Sequence, residues 1–347
     1  MAKKLFDFAI GNPPYQEEFS TDGNKTYAAP VYNEFMDAAN EVADKVELIH
    51  PARFLFNAGS TPKAWNRKML NDPHFKVLKY EEDATKVFPN TEIKGGVAIS
   101  YHDSFNVYGP IGVFTKYEEL NSIIKRVCSH HTFERFSKIA VTSYAYHFTD
   151  ALHKDHPEVA SQLSKGHAYD LKSNVFERIP QVFYDKDQGD DKYIKILGRV
   201  GNKRVYKFIR RKYINDVINL EKYKIFIPAA NGNGVLGEAI SSPILSEPNV
   251  GSTETFMSIG CFDNLNEAEA VLKYIKTKFA RILLGVNKVT QHITPEKWIY
   301  VPLQNFGADS DIDWSTSVHE IDVQLYRKYK LSVEEINFIE NTAKEMI

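Results

Sequence analysis

A short apolar run, Leu5-Phe6-Asp7-Phe8-Ala9-Ile10-Gly11, stops abruptly at Asn12-Pro13-Pro14-Tyr15. That join constrains the fold more than any other stretch. Consecutive prolines lack the donors that a helix interior or a central ladder needs, so the run reads as a strand that ends in a rigid loop. Its shortness and apolar, aromatic-rich composition predict a buried parallel strand, and open α/β sheets bind ligands at the carboxyl ends of such strands. Each loop residue has a chemical use. The Asn12 side-chain oxygen can accept one hydrogen of a planar base amine, and a carbonyl held outward by Pro13-Pro14 can accept the other. With both hydrogens held, the nitrogen lone pair is drawn out of conjugation and becomes a better nucleophile. Tyr15 offers a flat face for a base flipped out of a duplex. No covalent enzyme intermediate is required.

A bare Asn-Pro-Pro would read as a turn. The four-residue string after an apolar strand is more specific, and it resembles the gamma-type amino-methyltransferases, in particular the methyltransferase part of type IIG restriction-modification enzymes. The resemblance implies that the loop closes strand four of a class I, Rossmann-like methyltransferase sheet. It also implies transfer of a methyl group from S-adenosylmethionine to adenine N6 in double-stranded DNA, with Asn12, Pro13, Pro14 and Tyr15 as the catalytic loop. Later segments follow in the family's order: Val46–Leu55 as the next core strand and turn, Phe75–Tyr80 as a strand, Val87-Phe88-Pro89-Asn90 as a loop, and Gly95–Tyr101 as another strand. By residue type alone Phe88 would be core. The resemblance implies that it is the partner of Tyr15 across the flipped adenine, with direct in-line methyl transfer as the reaction.

Such a fold needs a Gly-rich turn after its first strand and an acidic residue ending its second, to hold the cofactor. Both would lie before Asn12, and eleven residues are there. Asn231-Gly232-Asn233-Gly234-Val235-Leu236-Gly237 does not open a helix and reads as a hairpin or surface loop. S-adenosylmethionine is therefore expected to be held mostly elsewhere. The strand-four edge would be left apolar and unpaired, which predicts a partner chain carrying the cofactor half, a second copy over the edge, or a longer enzyme.

The chain has 347 residues, 43% hydrophobic, 25% charged and 13% aromatic, enough for two domains of ordinary globular composition. It contains no run of about 18 apolar residues and no signal-peptide pattern. Cys128 and Cys261 stand apart without metal spacing, so they read as buried free thiols, and the expected location is cytoplasmic. A net charge of −2 argues against indiscriminate nucleic-acid binding. The local distribution differs. Between Lys192 and Lys224 stand eleven basic residues against two acidic ones, interleaved with aromatics. Lys203-Arg204 follow a Gly201-Asn202 hairpin signal and Arg210-Arg211-Lys212 close the next strand-like run. These residues suit phosphate contacts, and an arginine among them can reach guanine in the major groove. A solvated basic face is the plainer alternative.

Asp83 with Glu92-Ile93-Lys94 has the spacing of a magnesium-dependent nuclease, a third and weaker reading. The histidines His130, His131, His147, His153 and His156 show no spacing that closes a metal tetrahedron. From Glu267 to Leu284 the apolar spacing predicts one helix. Lys288-Val289-Thr290-Gln291 and a strand Trp298–Leu303 follow it, a series that resembles target-recognition domains of type I specificity subunits and type IIG enzymes. By that resemblance Lys288 and Gln291 are candidate DNA contacts, although capping and turn roles suit them equally. Ser317/Glu320 and Ser332/Glu335 predict capping boxes on two tail helices.

The expected architecture is α/β: a partial methyltransferase sheet (1–110), an α+β target-recognition domain (111–305) and a helical tail (306–347). The expected function is a site-specific DNA adenine-N6 methyltransferase component of a restriction-modification system. A non-catalytic DNA-binding or specificity subunit is the rival.

Overall fold

The computed structural model describes residues 4–16, 29–89, 91, 93–189, 192–288 and 290–346. They form a mixed α/β protein that divides into two compact units, Met1–Asn121 and Ser122–Ile347.

In the first unit, strand β1 (Phe6–Gly11) is followed by helix α1 (Tyr32–Val42) and strand β2 (Ala43–Pro51). Helix α2 (Lys63–Asn71), strand β3 (Phe75–Glu81) and strand β4 (Val97–Asp103) complete it. The sheet order is β1-β2-β4-β3. β1 and β2 are parallel, and β4 runs antiparallel to both its neighbours. In β2 the alternation turns Val46, Leu48 and His50 inward. They share a core with Tyr32 and Met36 of α1, Trp65 and Met69 of α2, and Phe75.

The expectation of a buried first strand is corrected. Among the described residues β1 pairs only with β2 and lies at the sheet edge, so Phe6, Phe8 and Ile10 are 58%, 61% and 77% exposed. Apolar composition does not bury a strand that lacks a neighbour.

Helix α3 (Glu118–Cys128) leads into the second unit. Strand β5 (Ala140–Val141) and three short helices, α4 (Asp150–Asp155), α5 (Val159–Gln162) and α6 (Val175–Arg178), come next. A two-residue turn containing Gly201, φ +56°, joins β6 (Tyr193–Val200) to β7 (Lys203–Arg210), as the hairpin signal required. The remaining strands are β8 (Tyr223–Pro228), β9 (Ile244–Ser246), β10 (Val250–Ser252) and β11 (Phe256–Phe262), in sheets ordered β10-β6-β7 and β5-β11-β8-β9.

The single helix expected over 267–284 is two, α7 (Leu265–Lys276) and α8 (Lys278–Gly285). The Thr277 hydroxyl donates back to the Tyr274 carbonyl and accepts from the Ala280 N–H. The Asp322 carboxylate accepts from the N–H groups of Lys278 and Phe279, both at 2.9 Å, which satisfies a new helix start. The Trp298–Leu303 strand is also corrected. A 3₁₀ turn at Pro295–Trp298 sends Trp298 fully into the core against Phe136, and only Pro302 makes an isolated bridge, to Arg135. Helices α9 (Val318–Lys328) and α10 (Val333–Thr342) each begin with the expected capping box. Cys261 is exposed and Cys128 half-buried, so neither is the fully buried thiol expected.

Candidate active site

Strand register brings one set of segments to one end of the first sheet. Gly11 pairs with Leu48, while Pro51 and Glu81 both pair with Val97. The loops that leave β1, β2 and β3, and the one that enters β4, therefore share that end.

Asn12 and Pro14 are exposed on the loop after β1; Pro13 and Tyr15 are half-buried. The loop is anchored where the Val31 N–H donates to the Tyr15 carbonyl at 3.2 Å and Gln16 bridges Pro30. The Asn12 amide is thus held at the sheet end in contact with solvent. The phenol oxygen of Tyr15 is buried with no hydrogen-bond partner among the described residues, and burial pushes its pKa up.

Phe88 approaches from the loop after β3. A 3₁₀ turn, Ala84–Lys86, is capped by Asp83, and the Phe88 N–H donates to the Ala84 carbonyl at 2.8 Å. Its ring lies 6.4 Å from that of Tyr15 at 70°, edge to face. Two rings that sandwich a base must be parallel and about 7–8 Å apart, twice the usual carbon contact distance. Here the two rings occupy that space themselves, so one must turn for a base to enter.

Beneath this end lies a group that sequence reasoning did not assign. His50 is fully buried, with Nε2 2.7 Å from the Ser100 hydroxyl and its ring stacked 6.1 Å from Tyr32. Burial pushes its pKa down to about 4. Arg53, the second residue after β2, is exposed. Its only sequence signal was its place just beyond a strand end.

Asp83 spends its carboxylate on the backbone N–H and hydroxyl of Thr85, the local turn bond expected of an N-cap. Glu92 lies outside the described residues. No three His, Cys, Asp or Glu side chains converge to hold a metal ion among the described residues.

In the second unit Lys203 and Arg204 open β7 and are exposed. The Arg204 guanidinium is partly committed, donating to the carbonyls of Ser242 at 2.6 Å and Ser241 at 3.3 Å. Arg210, Arg211 and Lys212 line a cleft of about 350 Å³ with Lys192. Arg210 donates to the Tyr193 phenol at 3.1 Å and lies over its ring; Arg211 pairs with Asp216 and Lys212 with Asp155. Gln291 is exposed, and its carbonyl accepts from the Asn231 N–H.

Lys288 is corrected. It is 2% exposed, ion-paired with Glu238 and donating to the Asn231 carbonyl at 2.7 Å, so it has no surface to offer DNA. Val289 lies outside the described residues. The Gly-rich segment also closes on itself. A Cβ on Gly232 would sit 2.0 Å from the Glu238 carboxylate, and one on Gly237 2.7 Å from Ala343 Cα. That space is filled by the protein's own atoms and cradles no ligand.

Residues 1–88 match the family model "Eco57I restriction-modification methylase". An "Uncharacterized adenine-specific methylase" of Mycoplasma pneumoniae is 29% identical over 93 residues, which cover 26% of this chain and 22% of the relative. Two solved structures are similar over most of this chain: the type IIG restriction endonuclease BpuSI (11% identity, TM-score 0.34, 97% of this chain) and the Type IIL restriction-modification enzyme MmeI in complex with DNA (9%, 0.34, 96%). This chain spans 53% and 56% of their lengths. The match over residues 1–88 includes the segment that holds the Asn-Pro-Pro-Tyr loop.

Proposed function

We propose that this chain is the base-binding and DNA-recognition part of a site-specific DNA adenine-N6 methyltransferase in a restriction-modification system. One observation carries the reading: Asn12-Pro13-Pro14-Tyr15 leaves the carboxyl end of a parallel strand, and Phe88 meets Tyr15 there from a separate loop. In this reading residues 1–110 are part of a Rossmann-like methyltransferase sheet, with β1 and β2 as its adjacent strands four and five. Residues 111–305 recognise the target and 306–347 form a helical tail.

The chain's own chemistry is amine handling. Adenine leaves the duplex and enters between Tyr15 and Phe88 once the two rings separate. The Asn12 side-chain oxygen and the Pro13 carbonyl accept the two N6 hydrogens, which localises the nitrogen lone pair towards the methyl donor. Lys203, Arg204, Arg210, Arg211 and Lys212 hold phosphates, and Gln291 is a further DNA contact. S-adenosylmethionine, which supplies the methyl group in the family, does not fit the Gly-rich segment 231–237, which is filled by Glu238 and Ala343 and opens no helix. A partner chain would bring the cofactor site, and it or a second copy would cover β1, whose exposed Phe6, Phe8 and Ile10 form an apolar edge.

The same misfit favours a second reading, a subunit that binds DNA without transferring methyl. Transfer of label from S-adenosylmethionine to DNA, measured with this chain alone and with candidate partner chains, separates the two. Transfer that appears with a partner and falls at least a hundredfold in Asn12→Ala, with DNA binding kept, supports the enzyme reading. Full transfer by Asn12→Ala would remove the assigned role. No transfer with any partner would leave the binding subunit.

A further inference from the structure

We infer that Arg53 is a phosphate-binding residue, holding the phosphodiester beside the base that enters between Tyr15 and Phe88. The inference rests on the adenine reading above and adds a contact that the loop motif does not contain.

Arg53 stands at the sheet end that carries Asn12, two residues past the last residue of β2. Its backbone is fixed, because its carbonyl accepts from the N–H groups of Asn57 and Ala58. Its side-chain stem runs between two glycines in the left-handed region, Gly59 (φ +83°) and Gly95 (φ +87°). A Cβ on Gly95 would lie 2.6 Å from Arg53 Cγ, and one on Gly59 3.1 Å from Arg53 Cβ. Any other residue at 95 would collide with the stem and be strained besides. The two bare backbones thus form a slot for one arginine.

The head group is not consumed by structure. Among the described residues no carboxylate or hydrogen-bond acceptor engages the guanidinium. Its charge acts on the Tyr32 phenol: burial raises that pKa, and the Thr61 hydrogen bond and the Arg53 charge partly offset the rise, leaving it at about 12. Tyr32 follows Val31, whose N–H holds the Tyr15 carbonyl. A solvent-accessible guanidinium on a braced stem, close to the base loop, suits bidentate binding of a phosphate oxygen pair. A flipped nucleotide turns its flanking phosphates towards the rim of the pocket that receives its base.

Duplexes enriched from a random pool by the wild-type full-length chain supply the probe. Single methylphosphonates, which remove one phosphate charge each, are placed in turn beside the adenines of the enriched site. Arg53→Met keeps the stem between the glycines and removes the charge. It is expected to keep the wild-type melting temperature, bind about ten- to a hundredfold more weakly, and lower the salt slope by about one. The one methylphosphonate that most weakens wild-type binding should have no further effect on this variant, and Arg53→Lys should recover part of the loss. Additive effects of the substitution and every methylphosphonate, or wild-type affinity in Arg53→Met, would overturn the assignment. The Asn12→Ala transfer assay keeps the two readings apart. Loss of transfer in Asn12→Ala beside an additive Arg53 cycle removes the phosphate contact alone. A wild-type chain that enriches no DNA removes both.

Discussion

Lys288 is where sequence context and structure disagree most sharply, and the disagreement is measurable. A DNA-contacting lysine costs affinity when lost and little stability; a buried, paired lysine does the reverse. Its ammonium donates to the Asn231 carbonyl and pairs with Glu238, and burial pushes its pKa down. Lys288→Met keeps the stem but leaves Glu238 charged with its side chain 12% exposed. Removing one partner of a buried pair costs about 3–5 kcal/mol. The N–H groups of Asn233 and Gly234 still donate to that carboxylate, at 2.9 and 3.3 Å, which puts the cost near the lower end, about 3 kcal/mol. For a unit the size of Ser122–Ile347 each kcal/mol moves Tm by about 2–4 °C, so calorimetry should show a fall of about 6–12 °C. The double variant Lys288→Met/Glu238→Met removes both charges and should recover most of it. DNA affinity below the transition should stay within about twofold of wild type, as for a residue making no phosphate contact. An unchanged Tm with a tenfold loss of affinity and a shallower salt slope would refute the argument and return Lys288 to the DNA surface.

Two further expectations concern the first unit. Tyr15→Phe removes a buried hydroxyl with no partner among the described residues. A buried unpaired hydroxyl costs about 1–3 kcal/mol, so the urea midpoint should rise by about 1 kcal/mol equivalent, and a fall would mean the hydroxyl is bonded. His50 titrates at about 4 when folded against its ordinary 6.5. Between those values the unfolded chain binds the proton and the folded one does not, so stability is full above pH 6.5 and is lost as pH falls towards 4. The gap corresponds to about 3 kcal/mol. Denaturant titrations from pH 7 to 4 should show this loss in the wild type and a flatter profile in His50→Asn; matching slopes would assign the acid sensitivity to other groups.

What was legible in the chain is what local chemistry determines. Two prolines end β1 wherever its neighbours lie, Gly201 takes the left-handed turn of its hairpin, and Ser332 with Glu335 cap a helix from within one turn. Two of the misreadings share one cause: the deciding partner is remote in sequence. Asp322 divides the helix at Thr277 from 44 residues away, and Glu238 takes Lys288 inward from 50. In β1 the deciding feature is the open sheet edge, which its own composition does not register but the expected strand order does. The candidate site combines both regimes. Its Asn-Pro-Pro-Tyr loop is a local motif, readable from five consecutive residues. Phe88 could be joined to Tyr15 only by the order of segments, and Arg53 only by the space that Gly59 and Gly95 leave for it. A loop motif therefore marks where the chemistry sits, while the residues that would bind the rest of the nucleotide are defined by packing across the sheet end. Asn12→Ala therefore tests the chemistry proposed for the loop, and Arg53→Met the contact that only packing defines.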